Sequence, residues 1–121
     1  MSTRANIIIK DEYSKLYFYR HSDGYPKGAM PTLSKFLDLV KTGKIRDNVG
    51  QAAGWLIILG HEEYLDGNKP LEPKIGGGIR WKVGTIEPTG NIHGDIEFLY
   101  IIDLVKKEIQ VIEHDFERYA L

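Results

Sequence analysis

The spacing of hydrophobic and polar residues divides the chain into seven short elements. Runs that are rich in β-branched and aromatic residues, or that alternate with polar ones, predict strands. Apolar residues three and four positions apart predict helices. The predicted elements are, in chain order, strands 4–10 and 16–21, helices 31–42 and 48–65, and strands 79–86, 96–104 and 108–113. The first two strands and the last two strands each form an antiparallel pair.

Two strands, two helices and three strands in succession are typical of the α+β class. We expect an antiparallel sheet of about five strands with both helices packed on one face. A length of 121 residues fits one domain, residues 1–121. Alternation along the second strand separates Arg20 from Tyr19 and His21 across the sheet. Aromatic residues occur on both faces of this strand, so the pattern leaves open which face is the core side.

Composition narrows the class of partner. The formal net charge is −1, and the basic and acidic residues are interspersed, which argues against duplex nucleic acid. The absence of cysteine excludes disulfides, thiolate metal sites and a cysteine nucleophile, and it suits a reducing compartment. The longest apolar run, 55–59, is too short to cross a membrane, and no signal pattern precedes it. We expect a cytoplasmic protein, with Trp55 and Trp81 in its core.

The segment from Arg20 to Pro26 carries the densest candidate chemistry. It lies in a predicted loop, 22–31, whose turn is indicated by Asp23 and Gly24. An arginine fork suits a phosphate or a carboxylate, Tyr25 offers a ring for stacking, and Gly24 lets a ligand approach the backbone. A purely architectural interpretation, in which Asp23 and Gly24 shape the turn and Tyr25 packs on the sheet, stays open beside it.

A second polar group follows the predicted turn 87–94. His93 and Asp95 repeat the His-x-Asp spacing of His21 and Asp23, and together these four side chains are a hypothetical divalent-cation site. Residues of these types are also common in turns and at strand edges. The chain has no nucleophile elbow, no phosphate-binding loop and no metalloprotease helix motif. We therefore expect no catalytic centre, no bound metal and no cofactor.

The two motifs together resemble a known group of proteins. Residues 16–26, followed by Gly28, match a pattern of tyrosine, arginine, histidine or glutamine, any residue, then Asp-Gly-Tyr-Pro, and residues 94–100 match a late Gly-Asp-Ile-Glu-aromatic-x-Tyr strand. Both patterns are typical of a widespread family of small phage and prophage proteins, most of them without an assigned activity. The resemblance spans most of the chain.

The resemblance to phage proteins, with the small size and the site chemistry, suggests an anti-defence protein of the anti-CBASS sponge type. Such a protein is not an enzyme; it sequesters a cyclic nucleotide immune signal, such as the cyclic dinucleotide cGAMP, in the host cytoplasm. We expect a homo-oligomer with the site between subunits, because a thin domain offers little depth. Two alternatives are an inhibitor of a host defence protein and a metal-dependent nuclease or phosphodiesterase. The candidate ligand-binding residues are Arg4, Tyr19, Arg20, His21, Asp23, Tyr25 and Arg80.

Overall fold

The computed structural model describes residues 3–67 and 86–119. Its elements follow the predicted order of two strands, two helices and three strands. They are β1 (Ala5–Lys10), β2 (Lys15–Arg20), α1 (Pro26–Lys41), α2 (Val49–Gly67), β3 (Ile86–Thr89), β4 (Phe98–Asp103), β5 (Glu108–Ile112) and a C-terminal 3₁₀ turn (Phe116–Tyr119). The α+β class is confirmed. Most of the predicted strand 79–86, including Arg80 and Trp81, lies outside the described residues.

The strands form one sheet in the order β3-β2-β1-β4-β5. β1 pairs antiparallel with β2, so that Ile7 lies across from Phe18, and parallel with β4, so that Ile7 lies across from Tyr100. β3 pairs antiparallel with β2, and β5 with β4. The prediction of an entirely antiparallel sheet was therefore wrong. A hairpin can join only antiparallel neighbours, whereas the long connection from β2 to β4 through both helices lets β4 run parallel to β1.

The main core lies between one face of the sheet and both helices. α1 contributes the stripe that its spacing predicted, including Leu33 and Phe36, and α2 contributes Ala52, Leu56 and Leu59. Each of the larger side chains, when fully buried, contributes roughly 1.5–3 kcal/mol. The side chains that the sheet and its flanks supply to this core are Ala5, Ile7, Ile9, Phe18, Ile86, Tyr100, Ile102 and Leu104.

The opposite sheet face carries a smaller apolar cluster. It includes Tyr17, Tyr19 and Leu99, and the partly buried Phe116 and Tyr119 of the C-terminal 3₁₀ turn pack against it. The aromatic residues on both faces of β2 are explained by this arrangement, because both faces are covered. The face without helices also carries the polar group described below.

Two element boundaries differ from the predictions. α1 begins at Pro26 rather than Pro31, because the amides of Gly28 and Ala29 both donate to the Tyr25 carbonyl and close the first turn. Pro26 is tolerated there since the first helical amides have no partner within the helix. β3 begins at the last residue of the predicted strand 79–86 and continues into the segment predicted as a turn, and its Pro88 is compatible with a strand at the edge of a sheet.

α2 begins as predicted, but one of its large side chains is more exposed than the prediction expected. The Asn48 side-chain oxygen accepts a hydrogen bond of 3.3 Å from the Gln51 amide and so caps the helix. Trp55 is 45% exposed, so its assignment to the core was wrong. The helix turns Leu56 and Leu59 toward the sheet, which leaves Trp55 on the outer side. No helix in the described part of the chain combines the length and the apolarity that a bilayer span requires.

Candidate functional site

A group of polar and aromatic side chains surrounds Tyr19 on the sheet face opposite the helices. Tyr19 lies in β2 across from Glu87 in β3, and alternation keeps both side chains on this face. The loop that links β3 to β4 brings its own polar residues over the same face. We call this group the Tyr19 cluster, and its members are Arg4, Tyr19, His21, Glu87, Thr89, His93 and Asp95.

Two imidazoles contact the Tyr19 ring. The ring of His93 stacks on it at 3.9 Å between centroids and 15° between planes, and the ring of His21 meets it edge-on at 4.6 Å and 85°. Each imidazole is also held at its Nε2, by the Glu87 carboxylate at 2.7 Å for His21 and by the Thr89 hydroxyl at 2.7 Å for His93. The three rings therefore form an ordered stack.

The hydroxyl end of Tyr19 is bonded to an ion pair. It donates a hydrogen bond of 2.8 Å to Asp95 Oδ2, and the Arg4 guanidinium donates to the same oxygen at 2.9 Å. Burial, reinforced by the bond to Asp95, raises the pKa of Tyr19 to about 12. The phenol donor lowers the pKa of Asp95, and Arg4 adds to that effect. At neutral pH Tyr19 is a fixed donor and Asp95 a fixed acceptor.

A buried asparagine positions the loop that carries His93. Asn6 lies in β1 and is fully buried. Its side-chain oxygen accepts a hydrogen bond of 2.7 Å from the His93 amide, and its side-chain nitrogen donates to the Phe18 carbonyl at 2.8 Å. Asn6 was not among the residues predicted to have a role. The signal that could have found it is a lone amide residue inside the apolar run of β1, since a buried polar side chain needs bonding partners.

A cleft of about 490 Å³ opens beside the Tyr19 cluster, between the loop after β3 and the C-terminal 3₁₀ turn. Ligand sites commonly measure roughly 300–1,000 Å³. The apolar side chains that line the cleft are those of Ile92 and Phe116, and the carboxylates in its lining are those of Asp115 and Glu117. We call this the His93 cleft, because His93 lines it and also stacks on Tyr19.

Arg20 lies on the other side of the sheet and is 1% exposed. Its terminal nitrogens form two parallel bonds to the Glu63 carboxylate of α2, at 2.7 and 2.9 Å. Its remaining bonds go to the carbonyls of Ser22, Asp23 and Gly28, at 2.9, 3.1 and 3.3 Å. The Thr32 hydroxyl donates to the same carboxylate. Arg20 thus ties the start of α1 to α2, and its role in ligand binding stays a prediction.

The cleft beside Arg20 is smaller and charge-balanced. It measures about 370 Å³ and includes Asp23, Lys35 and Glu62 in its lining. Lys35 pairs with Glu62 at 3.3 Å, and Arg20 pairs with Glu63. The cations of this cleft are therefore neutralised by its own carboxylates, whereas the His93 cleft offers carboxylates beside apolar side chains.

The seven residues predicted to bind a ligand do not form one site. Arg4, Tyr19 and His21 belong to the Tyr19 cluster. Arg20 and Asp23 line the smaller cleft on the helix side. Tyr25 is 40% exposed at the cap of α1, and its hydroxyl donates a long hydrogen bond of 3.4 Å to Asp23. Arg80 lies outside the described residues.

The turn 23–25 has a clear architectural role. The Gly24 amide donates to the Thr3 carbonyl at 2.9 Å, and the buried Tyr100 hydroxyl donates to the Gly24 carbonyl at 2.6 Å. Asp23 has a φ of 52°, a left-handed conformation that aspartate tolerates better than most residues. The turn is therefore fastened to the residues before β1 and to β4, as the architectural interpretation of Asp23 and Gly24 expects, whereas Tyr25 is 40% exposed.

The two His-x-Asp pairs do not combine into one metal site. His21 and His93 both contact Tyr19, and Asp95 bonds its hydroxyl, but Asp23 lies in the cleft on the helix side. Within residues 3–67 and 86–119, no group of three or more His, Cys, Asp or Glu side chains is arranged to hold a metal ion. The metal hypothesis gains no support from the described part of the chain.

Comparisons of the chain with protein-family models, with curated proteins and with solved structures found no significant match.

Proposed function

We propose that this protein is a non-enzymatic phage anti-defence protein that binds and sequesters a cyclic nucleotide immune signal in the cytoplasm of the host cell. The observation that carries the proposal is the His93 cleft, about 490 Å³ in volume, which borders the ordered ring stack on Tyr19. A site of this kind offers a base-sized space beside aromatic and imidazole rings.

The groups at this site suit the parts of a nucleotide. Phe116 and His93 offer rings on which a base can stack. The carboxylates of Asp115 and Glu117 accept hydrogen bonds from the amino and imino groups of a base. Arg4 is the arginine of the Tyr19 cluster; its side chain is 48% exposed and pairs with Asp95, and in this proposal it also meets a phosphate. This arrangement replaces the one first expected, in which Arg20 met the phosphate.

The pKa values of Tyr19 and Asp95 make this pair unsuited to proton transfer near pH 7. General acid–base catalysis needs a group whose pKa lies near the working pH. The pKa of Tyr19 is raised to about 12 by burial and by its bond to Asp95, and that of Asp95 is lowered. Neither group exchanges a proton near pH 7, so the pair serves as a rigid platform for the two imidazole rings.

Isothermal titration against a panel of cyclic di- and trinucleotides, with linear dinucleotides as controls, tests the proposal. We expect one ligand class to bind with a dissociation constant in the micromolar range or below. The variant Phe116→Ala should weaken that binding about 5- to 150-fold, since stacking one base contributes roughly 1–3 kcal/mol. The matched control Lys35→Ala, in the cleft on the helix side, should bind as the wild type does.

Two results would contradict the proposal. One is the absence of binding by every nucleotide at about 50 µM protein, and the other is equal binding by wild type and Phe116→Ala. Ligand recovered after heat denaturation should be chemically intact by mass spectrometry, because a sequestering protein does not cleave it. Recovery of a hydrolysed product would assign an enzyme.

A second candidate function, direct inhibition of a host defence protein, is favoured by a different observation. Trp55 and Ile58 are 45% and 46% exposed and lie three residues apart, on one outer face of α2. Exposed tryptophan is enriched among residues that dominate protein interfaces. A stoichiometric host partner that is lost with Trp55→Ser and retained with Phe116→Ala would support this candidate. Equal capture by all three proteins would exclude this face.

A further inference from the structure

The two edges of the sheet differ in how well they are protected against pairing with another strand. β3 forms one edge and carries Pro88, which has no amide hydrogen to donate. β5 forms the other edge and has no proline. Val111 in β5 is 39% exposed, and Val105 in the turn before it is 47% exposed. Among residues 3–67 and 86–119, no strand pairs with the outer side of β5, so this edge offers backbone groups with apolar side chains beside them.

We propose that β5 pairs antiparallel with β5 of a second copy of this chain, with Gln110 on the two-fold axis. This register pairs all five residues of the strand, so that Val111 lies across from Ile109 and Glu108 from Ile112. Val111 and Ile109 face the helix side, because their partners in β4 are the buried Tyr100 and Ile102. The pairing covers Val111 with an apolar neighbour and extends the core side of each sheet.

The charges that flank β5 favour this register. Lys107, in the turn before β5, and Glu113, directly after it, each lie one residue outside the strand, so this register brings Lys107 of one copy near Glu113 of the other, twice by symmetry. A register centred on Ile109 places Lys107 across from Val111. A register centred on Val111 places Glu113 across from Ile109. Only the arrangement centred on Gln110 joins opposite charges at both ends and keeps the apolar residues together.

The contact is small, so the dimer is weak. Five residues from each copy amount to less than the roughly 1,200 Å² that stable complexes bury. We expect the dimer to form only at high protein concentration, and a ligand bound at the interface would lower its dissociation constant. The dimer does not depend on the proposed function. If that function holds, the pairing brings Lys106 and Lys107 of one copy beside residues 113–115 of the other, which lead into the His93 cleft.

Sedimentation equilibrium without nucleotide, from about 10 to 500 µM protein, tests the pairing. We expect Lys107→Glu and Glu113→Lys each to weaken association at least about 5-fold, because each places like charges across the interface. The double variant should return to within about 2-fold of the wild type. Lys44→Glu makes the same charge change in the loop between the helices, and it should associate as the wild type does.

A second variant tests the apolar part of the contact. Val111→Lys places a charge at an exposed position of the strand, so it should fold, by circular dichroism, and remain monomeric. A wild type that stays monomeric at about 500 µM would overturn the proposal. So would association that is unaffected by Val111→Lys, or a double variant that associates no better than the single ones. Nucleotide titration is a separate measurement, and its failure would leave the dimer standing.

Discussion

Replacing Arg20 with methionine should remove a buried structural ion pair rather than a ligand contact. The variant leaves the Glu63 carboxylate without its two parallel bonds, and it leaves three loop carbonyls without a donor. Removing one partner of a buried pair typically costs about 3–5 kcal/mol, because the other charge stays uncompensated. For a chain of this length, about 1 kcal/mol lowers Tm by roughly 3–6 °C. We therefore expect a loss of about 9–30 °C.

Urea unfolding followed by far-ultraviolet circular dichroism measures the cost. Arg4→Met is the matched control, because it removes the same side chain from a pair that is about half exposed, and it should cost less than about 1 kcal/mol. The double variant Arg20→Met with Glu63→Met should be less destabilised than the sum of the single variants, since it removes both charges together. The slope of free energy against urea should stay unchanged.

The prediction is wrong if Arg20→Met lowers the free energy of unfolding by no more than Arg4→Met does. Such a result would mean that the guanidinium is not desolvated, and Arg20 would again be a candidate ligand residue. A loss of nucleotide binding by Arg20→Met at unchanged stability would point the same way. If Arg20→Met loses both stability and nucleotide binding, and binding returns when the variant is refolded at a lower temperature, the role of Arg20 is structural.

Three further predictions concern backbone space and pH. Gly28→Ala should destabilise by about 1–3 kcal/mol in urea unfolding, because its Cβ would lie 2.4 Å from the Asp23 carbonyl oxygen. Gly54→Ala should instead stabilise by up to about 1 kcal/mol, because the position is helical and no atom of the described residues lies within 4 Å of the added Cβ. Tyr19 and Tyr100 should ionise only near pH 12 in an absorbance titration at 295 nm. The free energy of unfolding should fall as pH rises from about 10 to about 12, because these tyrosines ionise at a lower pH in the unfolded chain than in the folded one. The lowered pKa of Asp95 should stabilise the fold above about pH 4, and this stability should be lost as pH falls through the pKa of Asp95 in the folded protein. The variant Asp95→Asn should remove that part of the pH dependence of the free energy of unfolding, as measured with urea.

The sequence indicated many residues of the candidate site, but it did not indicate which of them lie together in the fold. His21 and His93 were both noted, with the carboxylates two positions after them, yet only Asp95 joins the histidines at Tyr19. The chain turns toward the helix side, so that Asp23 lines the cleft beside Arg20. Spacing along a chain describes neighbours within one segment, and it carries no information on which side of a sheet a loop will continue.

By itself, the sequence determined the kind and order of the elements. Alternation and helical spacing depend on residues a few positions apart, so they survive without knowledge of the fold, and they yielded β1, β2, both helices and the last two strands. The same local pattern placed Arg20 and Tyr19 on opposite sheet faces.

Only the tertiary structure decided which strands are neighbours and what each polar residue meets. Strand pairing depends on which combination of all the elements buries the apolar faces together. β4 lies parallel to β1, and the buried Asn6 of β1 holds the loop before β4 by its bond to the His93 amide. This long-range pairing brings residues more than seventy positions apart against Tyr19. No local pattern encodes that contact, because its energy comes from burial across the whole sheet.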